Sequence, residues 1–203
     1  MRILIIAFLS QILLSCIPLK VTYYEPITKN GQLRQSICYE EAGPYDKVIF
    51  DGLQGVTISL VSRLEKHRIL ICITITIPKD VTVTFQDNLF VINNVSTGEV
   101  ISQRLSSIYP VKHPKLSCFD YTTTTTAKEI GKDIFTSLQG GYFCMSDRFC
   151  FNAPYYIYLT IDNFKPNQFT LRFPEIKINE ESFQLQRILF KLKSGIFIYP
   201  LNC

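Results

Sequence analysis

The chain has 203 residues, 47% of them hydrophobic and 19% charged, which suits one folded domain or two small ones and excludes a mainly disordered state. Its 21 Lys and Arg against 17 Asp and Glu give a net charge of +4, spread too thinly to track a phosphate backbone, so nucleic acid is not an expected partner. The 7 Cys and 2 His are the counts that bear on chemistry, and their meaning depends on the compartment.

In chain order, the first predicted element is an export signal. Met1-Arg2 supplies a small positive charge, and Ile3 to Leu14 is apolar except for Ser10 and Gln11. That run falls well short of the about 20 residues needed to cross a roughly 30 Å hydrocarbon core, so it reads as a signal and not as an anchor. It ends in Leu13-Leu14-Ser15-Cys16, which resembles the lipobox of bacterial lipoproteins, with an aliphatic residue at minus three and a small one at minus one before the modified Cys. The resemblance implies a thioether-linked diacylglycerol on Cys16, cleavage before it, and acylation of the new amine by a fatty acid such as palmitate. Ile17 stands where an Asp would mark inner-membrane retention, which favours the outer membrane, on its periplasmic side. The same residues also allow an ordinary secretory signal cleaved near Ser15, with Cys16 entering a disulfide. In either case residues 1–15 are a signal peptide outside the fold.

Residues 16–34 are expected to form an N-terminal tether and a first strand at Val21 to Tyr24, with Gln35 to Tyr39 as a further strand. Residues 21–44 run from Val-Thr-Tyr-Tyr-Glu-Pro through Gly31 and Cys38 to Gly43-Pro44. They resemble the opening of small uncharacterised lipoproteins of Gram-negative bacteria, in which a Tyr-x-Pro segment and an early Cys follow the lipidated N-terminus. That resemblance implies a location in the envelope.

From residue 55 to 109 the period is two. Ile71, Ile73, Ile75 and Ile77 share one face, and Cys72, Thr74 and Thr76 share the other, which is a half-buried strand. Pro78-Lys79-Asp80 interrupts it, and Val81, Val83 and Phe85 resume the alternation against Thr82 and Thr84. Val56, Ile58 and Leu60 and then Leu89 to Ile92 repeat the habit, with Asn93-Asn94 and Thr97-Gly98 as turns. The segment reads as a meander of about five strands.

Residues 110–153 are expected to be an irregular insertion. Pro110 and Pro114 open it, and Thr122 to Thr126 follow as a solvated edge or linker. Ala127, Ile130, Ile134 and Leu138 recur near the helical period, with Thr126 as N-cap and Gly140-Gly141 as a stop, so one short helix is expected within residues 126–139. Beyond it, Ile157 to Ile161, Phe169 to Phe173, Ile188 to Leu192 and Ile196 to Ile198 alternate again. Breaks are expected at Asp162-Asn163, Lys165-Pro166-Asn167, Pro174 and Ser194-Gly195. Strand spacing of about 8 to 12 residues suits an antiparallel β-sandwich, immunoglobulin-like or related, so residues 35–203 read as a single all-β sandwich domain.

Without Cys16 an even set of six remains: Cys38, Cys72, Cys118, Cys144, Cys150 and Cys203, which in an oxidising space are disulfide candidates. Only one pair suggests itself, Cys144 with Cys150 across a polar turn, and closing so short a loop contributes roughly 2 kcal/mol. Cys72 would meet a Cys from another strand or remain a lone thiol. No spacing here makes a metal site, and no cofactor motif is present.

His67 and His113 are the residues with an unperturbed pKa near neutrality, and both lie beside Lys, as in a solvated turn. Neither carries a hydrolase motif. Glu40-Glu41 and Glu180-Glu181 are adjacent, so along a strand their side chains diverge and cannot flank one bond. Asn94-Val95-Ser96 is a formal glycosylation sequon, relevant only in a eukaryotic source. Tyr156 and Tyr158 share a strand face on which a sugar or peptide could stack, although Phe and Tyr also serve as core fillers in a chain without Trp. The expected function is that of a membrane-tethered, non-enzymatic binding or structural module of the cell envelope, with a protein or glycan partner. The alternative is a periplasmic hydrolase using His67 or His113 with a Ser or Cys nucleophile.

Overall fold

Alternating apolar residues build strands throughout the computed structural model, which describes residues 16–35, 44–105, 107–110, 128–129, 137–146, 149–152 and 154–200. All pairings are antiparallel. A five-stranded sheet runs in spatial order β1 (Cys16–Ile27), β18 (Ile188–Pro200), β15 (Gln168–Arg172), β7 (Leu89–Asn94) and β8 (Val100–Arg104). A seven-stranded sheet runs β10 (Lys128–Glu129), β9 (Ser107–Pro110), β14 (Pro154–Asp162), β5 (Arg68–Thr76), β4 (Thr57–Glu65), β3 (Lys47–Asp51) and β2 (Gln32–Arg34). A four-stranded sheet joins β11 (Ser137–Gln139), β6 (Thr82–Phe85), β16 (Ile176–Ile178) and β17 (Glu181–Phe183), and β12 (Tyr142–Ser146) pairs with β13 (Phe149–Asn152) in a two-stranded hairpin.

The alternation sets which side is buried. Ile58 and Leu60 on β4, Ile71, Ile73 and Ile75 on β5, and Ile157 and Leu159 on β14 face inward from the large sheet. Tyr24, Phe90, Phe169, Leu171 and Phe190 face them from the five-stranded sheet, while Val83, Phe85, Leu138 and Ile176 complete the same hydrophobic cluster. Burying one such side chain contributes about 1.5 to 3 kcal/mol, so the shared core makes this an all-β, sandwich-like fold. Aromatic rings fix its centre: Phe169 stacks on Phe190 with centroids 4.8 Å apart and meets Tyr24 edge-on at 5.0 Å. The Tyr24 hydroxyl donates to the Pro166 carbonyl at 2.8 Å, so its polar end is satisfied where it is buried.

Several expectations are corrected. Where the helix within residues 126–139 was expected, the described residues are strands: Lys128–Glu129 pairs with β9, and Ser137–Gln139 pairs with β6, with Leu138 buried opposite Val83, while residues 126–127 and 130–136 lie outside the described residues. Long-range sheet pairing overrides the weak helical pattern, which Gly131 and the β-branched residues already compromise. Gly140 then lies so close to the Pro78 carbonyl oxygen that a Cβ would sit 1.7 Å from it. The strands of residues 55–109 exist, but not as one meander. The chain changes sheet after β5, after β6 and after β8, because Pro78, the Gln86–Asn88 connection and Leu105 each redirect it to another layer. The first strand is longer than expected and starts at Cys16 itself. Of the strand expected at Gln35 to Tyr39, Gln35 is outside β2, and residues 36–39 lie outside the described residues.

Ser194-Gly195, expected to break the chain, lies inside the continuous β18. The Phe197 ring folds back over Gly195 and reaches Tyr23 with centroids 5.8 Å apart, and a Cβ on Gly195 would come within 2.9 Å of that ring. Glycine here makes room for an aromatic instead of ending a strand.

β15 pairs with β18 only from Ile188 to Lys191, whereas β1 pairs with β18 along its full length, from Ile27 opposite Leu189 to Cys16 opposite Pro200. Beyond Leu192 the two strands therefore continue as a ribbon of two, on the order of 30 Å long at about 3.3 Å per residue. From Pro18 to Tyr23 and from Lys193 to Phe197 no side chain is buried. Pro18 and Pro26 fit β1 because it is an edge strand, where a missing N–H costs no ladder bond.

Candidate functional site

The outward face of the seven-stranded sheet carries the residues of greatest chemical interest. Strand parity turns Tyr156 and Tyr158 away from the core, and Tyr155 toward it, where it packs against the hydrophobic cluster. The Tyr155 hydroxyl donates to the Gln139 carbonyl at 2.7 Å. Tyr156 and Tyr158 are half-buried and meet edge-on with centroids 6.2 Å apart, and Tyr109 of β9 joins them at 5.6 Å from Tyr158. Register explains this third ring, since Tyr109 lies directly opposite Tyr156. Sequence reading missed Tyr109, because its neighbour was set by a pairing between distant segments. Burial pushes the Tyr156 and Tyr155 phenols above their ordinary value, so both are neutral at physiological pH and act as hydrogen-bonding aromatics, not as bases. Such a strip can hold a sugar or peptide by ring contact and hydroxyl hydrogen bonds.

Beside Tyr158, in register, lies Cys72 of β5, and on its other side Val61 of β4. Both point away from the main core and yet are buried, and Cys72 is disulfide-bonded. The alternative of a lone thiol at Cys72 is thereby removed. Cys144 and Cys150 face each other in the register of the β12–β13 hairpin, with a bulge between Cys144 and Ser146. Cys16 is the first residue of β1, while Cys38, Cys118 and Cys203 lie outside the described residues.

His67 sits at the exposed turn between β4 and β5. Its carbonyl accepts a hydrogen bond from the Asn163 N–H at 2.6 Å, and Asn163 takes the left-handed conformation, at φ 54°, that Asn tolerates well. The open recess around it is lined by Arg63, Leu64, Glu65, Lys66, Arg68, Asp162 and Asn163, with no Ser or Cys among them. Among the described residues of this recess no Ser or Cys stands beside the imidazole. His113, the Thr122 to Thr126 run and Glu40-Glu41 lie outside the described residues, and Glu180 and Glu181 are exposed at the β16–β17 turn. Asn94 is buried, and its side-chain oxygen accepts from the Ser96 and Thr97 N–H groups at 3.0 and 3.4 Å, so the sequon asparagine serves as a turn cap. Among the described residues no cluster of His, Cys, Asp and Glu could hold a metal ion, and no helix is long and apolar enough to cross a membrane.

No family model matches the chain, and no curated protein matches it. Among solved structures it is similar to the X-ray structure of Northeast Structural Genomics Consortium target SoR45, at 8% identity and a TM-score of 0.25, over 89% of this chain and 84% of that one.

Proposed function

We propose that the protein is a non-enzymatic β-sandwich of the bacterial envelope, tethered through a lipid on Cys16 and acting by presenting a binding surface to an envelope protein or glycan. The observation that carries this reading is Leu13-Leu14-Ser15-Cys16 after a short apolar run, with Cys16 standing where β1 begins. Diacylglycerol on the thiol and a palmitate-like acyl group on the amine supply the anchor. Ile17 supports the outer membrane over the inner one. The strip of Tyr109, Tyr156 and Tyr158 is the surface to which a glycan or peptide would bind, braced by the Cys72 disulfide in the next strand. The register of Cys144 opposite Cys150 supports a second disulfide in the small hairpin.

Intact mass of protein extracted from membranes tests the anchor. The expected result is a diacylglycerol and acyl adduct on Cys16, lost with all membrane association in Cys16→Ser. An unmodified mass, or wild type and Cys16→Ser released alike into the soluble fraction, would overturn the reading.

A further inference from the structure

The ribbon of β1 and β18 has an unusual distribution of apolar groups. Ile196 is 74% exposed and Leu19 is 48% exposed, and Phe197 is only partly covered, by its contact with Tyr23. Register places them on both faces of the ribbon: Leu19 is opposite Phe197 on one side, and Ile196 is opposite Lys20 on the other. A protein partner docking on a sheet covers one face. A medium that surrounds the ribbon covers both.

The position of Cys16 selects that medium. Cys16 is itself a strand residue, paired with Pro200, so no flexible stem separates it from the fold. Acyl chains on Cys16 would enter the bilayer at the ribbon tip, and Leu19 lies only about 10 Å further along the strand. That distance is within the about 5 to 10 Å depth at which apolar side chains seat themselves between headgroups and acyl chains. Lys20 is exposed at the same level and can lay its stem along the apolar surface with its ammonium among phosphates. Among the described residues the outer edge of β1 has no strand neighbour, so its backbone groups would be costly in hydrocarbon, which limits the ribbon to the interface.

We infer that the β1–β18 ribbon is a membrane-interface element: its tip, with Leu19, Ile196 and Phe197, sits in the headgroup region of the bilayer and holds the sandwich upright at a fixed distance. This rests on the lipid anchor proposed above. The tyrosine strip would then face the periplasm sideways instead of tumbling on a loose tether.

The chain contains no Trp, so a single introduced Trp is a clean reporter. The lipidated full-length variants Ile196→Trp, Leu19→Trp and, at the opposite end of the five-stranded sheet, exposed Gln186→Trp are placed in phosphatidylethanolamine and phosphatidylglycerol vesicles with brominated acyl chains. Trp at 196 and at 19 should shift to shorter wavelength and be quenched several-fold more than Trp at 186. Solvent-like, unquenched emission at both ribbon positions, in a sample whose mass carries the Cys16 lipid, would overturn the inserted ribbon and leave the anchor standing. Equal quenching at all three positions would overturn the upright orientation. A sample with no lipid on Cys16 would overturn the anchor, and the inference with it.

Discussion

The same two strands, β1 and β18, have one end inside the protein and one end outside it. At the body end Tyr24, Pro26, Ile188 and Phe190 are buried among the rings of Phe169 and its neighbours. At the ribbon end the alternation of Ile196 and Ile198 continues unchanged, yet Ile196 is among the most exposed apolar residues of the chain. Alternation is thus a property of extended backbone, and burial is a separate property that needs a second layer. β15 continues the sheet beside β18 only as far as Leu192, and from Lys193 to Phe197 no side chain is buried by a facing layer.

Three measurements would break or sharpen this contrast. The largest effect is expected at the centre of the body, where Phe169→Ala removes a ring that touches Tyr24, Phe164 and Phe190. Urea unfolding should show a loss of about 3 to 5 kcal/mol. A loss below about 1 kcal/mol would mean that the stacked rings do not hold the two layers together.

The next effect is a pH dependence. Burial pushes the Tyr24 phenol from 10.0 up to about 12. Its folded pKa lies above its unfolded one, so the stability it contributes is fully present below about pH 10 and fades as the pH rises toward 12. At 1.36 kcal/mol per unit, wild type should lose roughly 2 to 3 kcal/mol across that window. Tyr24→Phe, which starts lower for want of the hydrogen bond to Pro166, should lack that loss. Parallel pH curves for the two proteins would show that the phenol is not held in a dry site.

The smallest effect belongs to the ribbon. Ile196→Ala should change stability by no more than about 0.5 kcal/mol, since an exposed side chain gives up little on truncation. A loss of 2 kcal/mol or more, of the size seen for buried isoleucines, would place Ile196 in a packed environment and erase the distinction between the two ends.

Local features were legible from sequence wherever the chain's own neighbours decide them. The Ile71 to Ile77 face, the turn at Pro78 to Asp80, and the turn after Asn93-Asn94 follow from side-chain parity, ring closure and Asn geometry. Assignment of strands to sheets was not legible, because β1 with β18 and β9 with β14 are pairings between distant segments. That is why Tyr109 escaped notice beside Tyr156, and why Leu138 suggested a helix when its partner was Val83. The β16–β17 pair was missed as well, since three-residue strands leave almost no periodic signal. The disulfide state of Cys72 was bounded but not decided, as strand parity gives direction and not a partner.

The pairing of β1 with β18 also sets a clock. Thr22 and Ser194, whose hydroxyls lie 2.9 Å apart, are separated by 172 positions in sequence. At about 5 to 20 residues per second of synthesis, β1 waits on the order of 10 to 30 s for its partner. Through that interval it is a largely apolar strand with two open edges, guarded by Pro18, Lys20, Glu25 and Pro26 against pairing with other chains. Completion of the five-stranded sheet is therefore a late event, and the first strand to be synthesised is among the last to find its place.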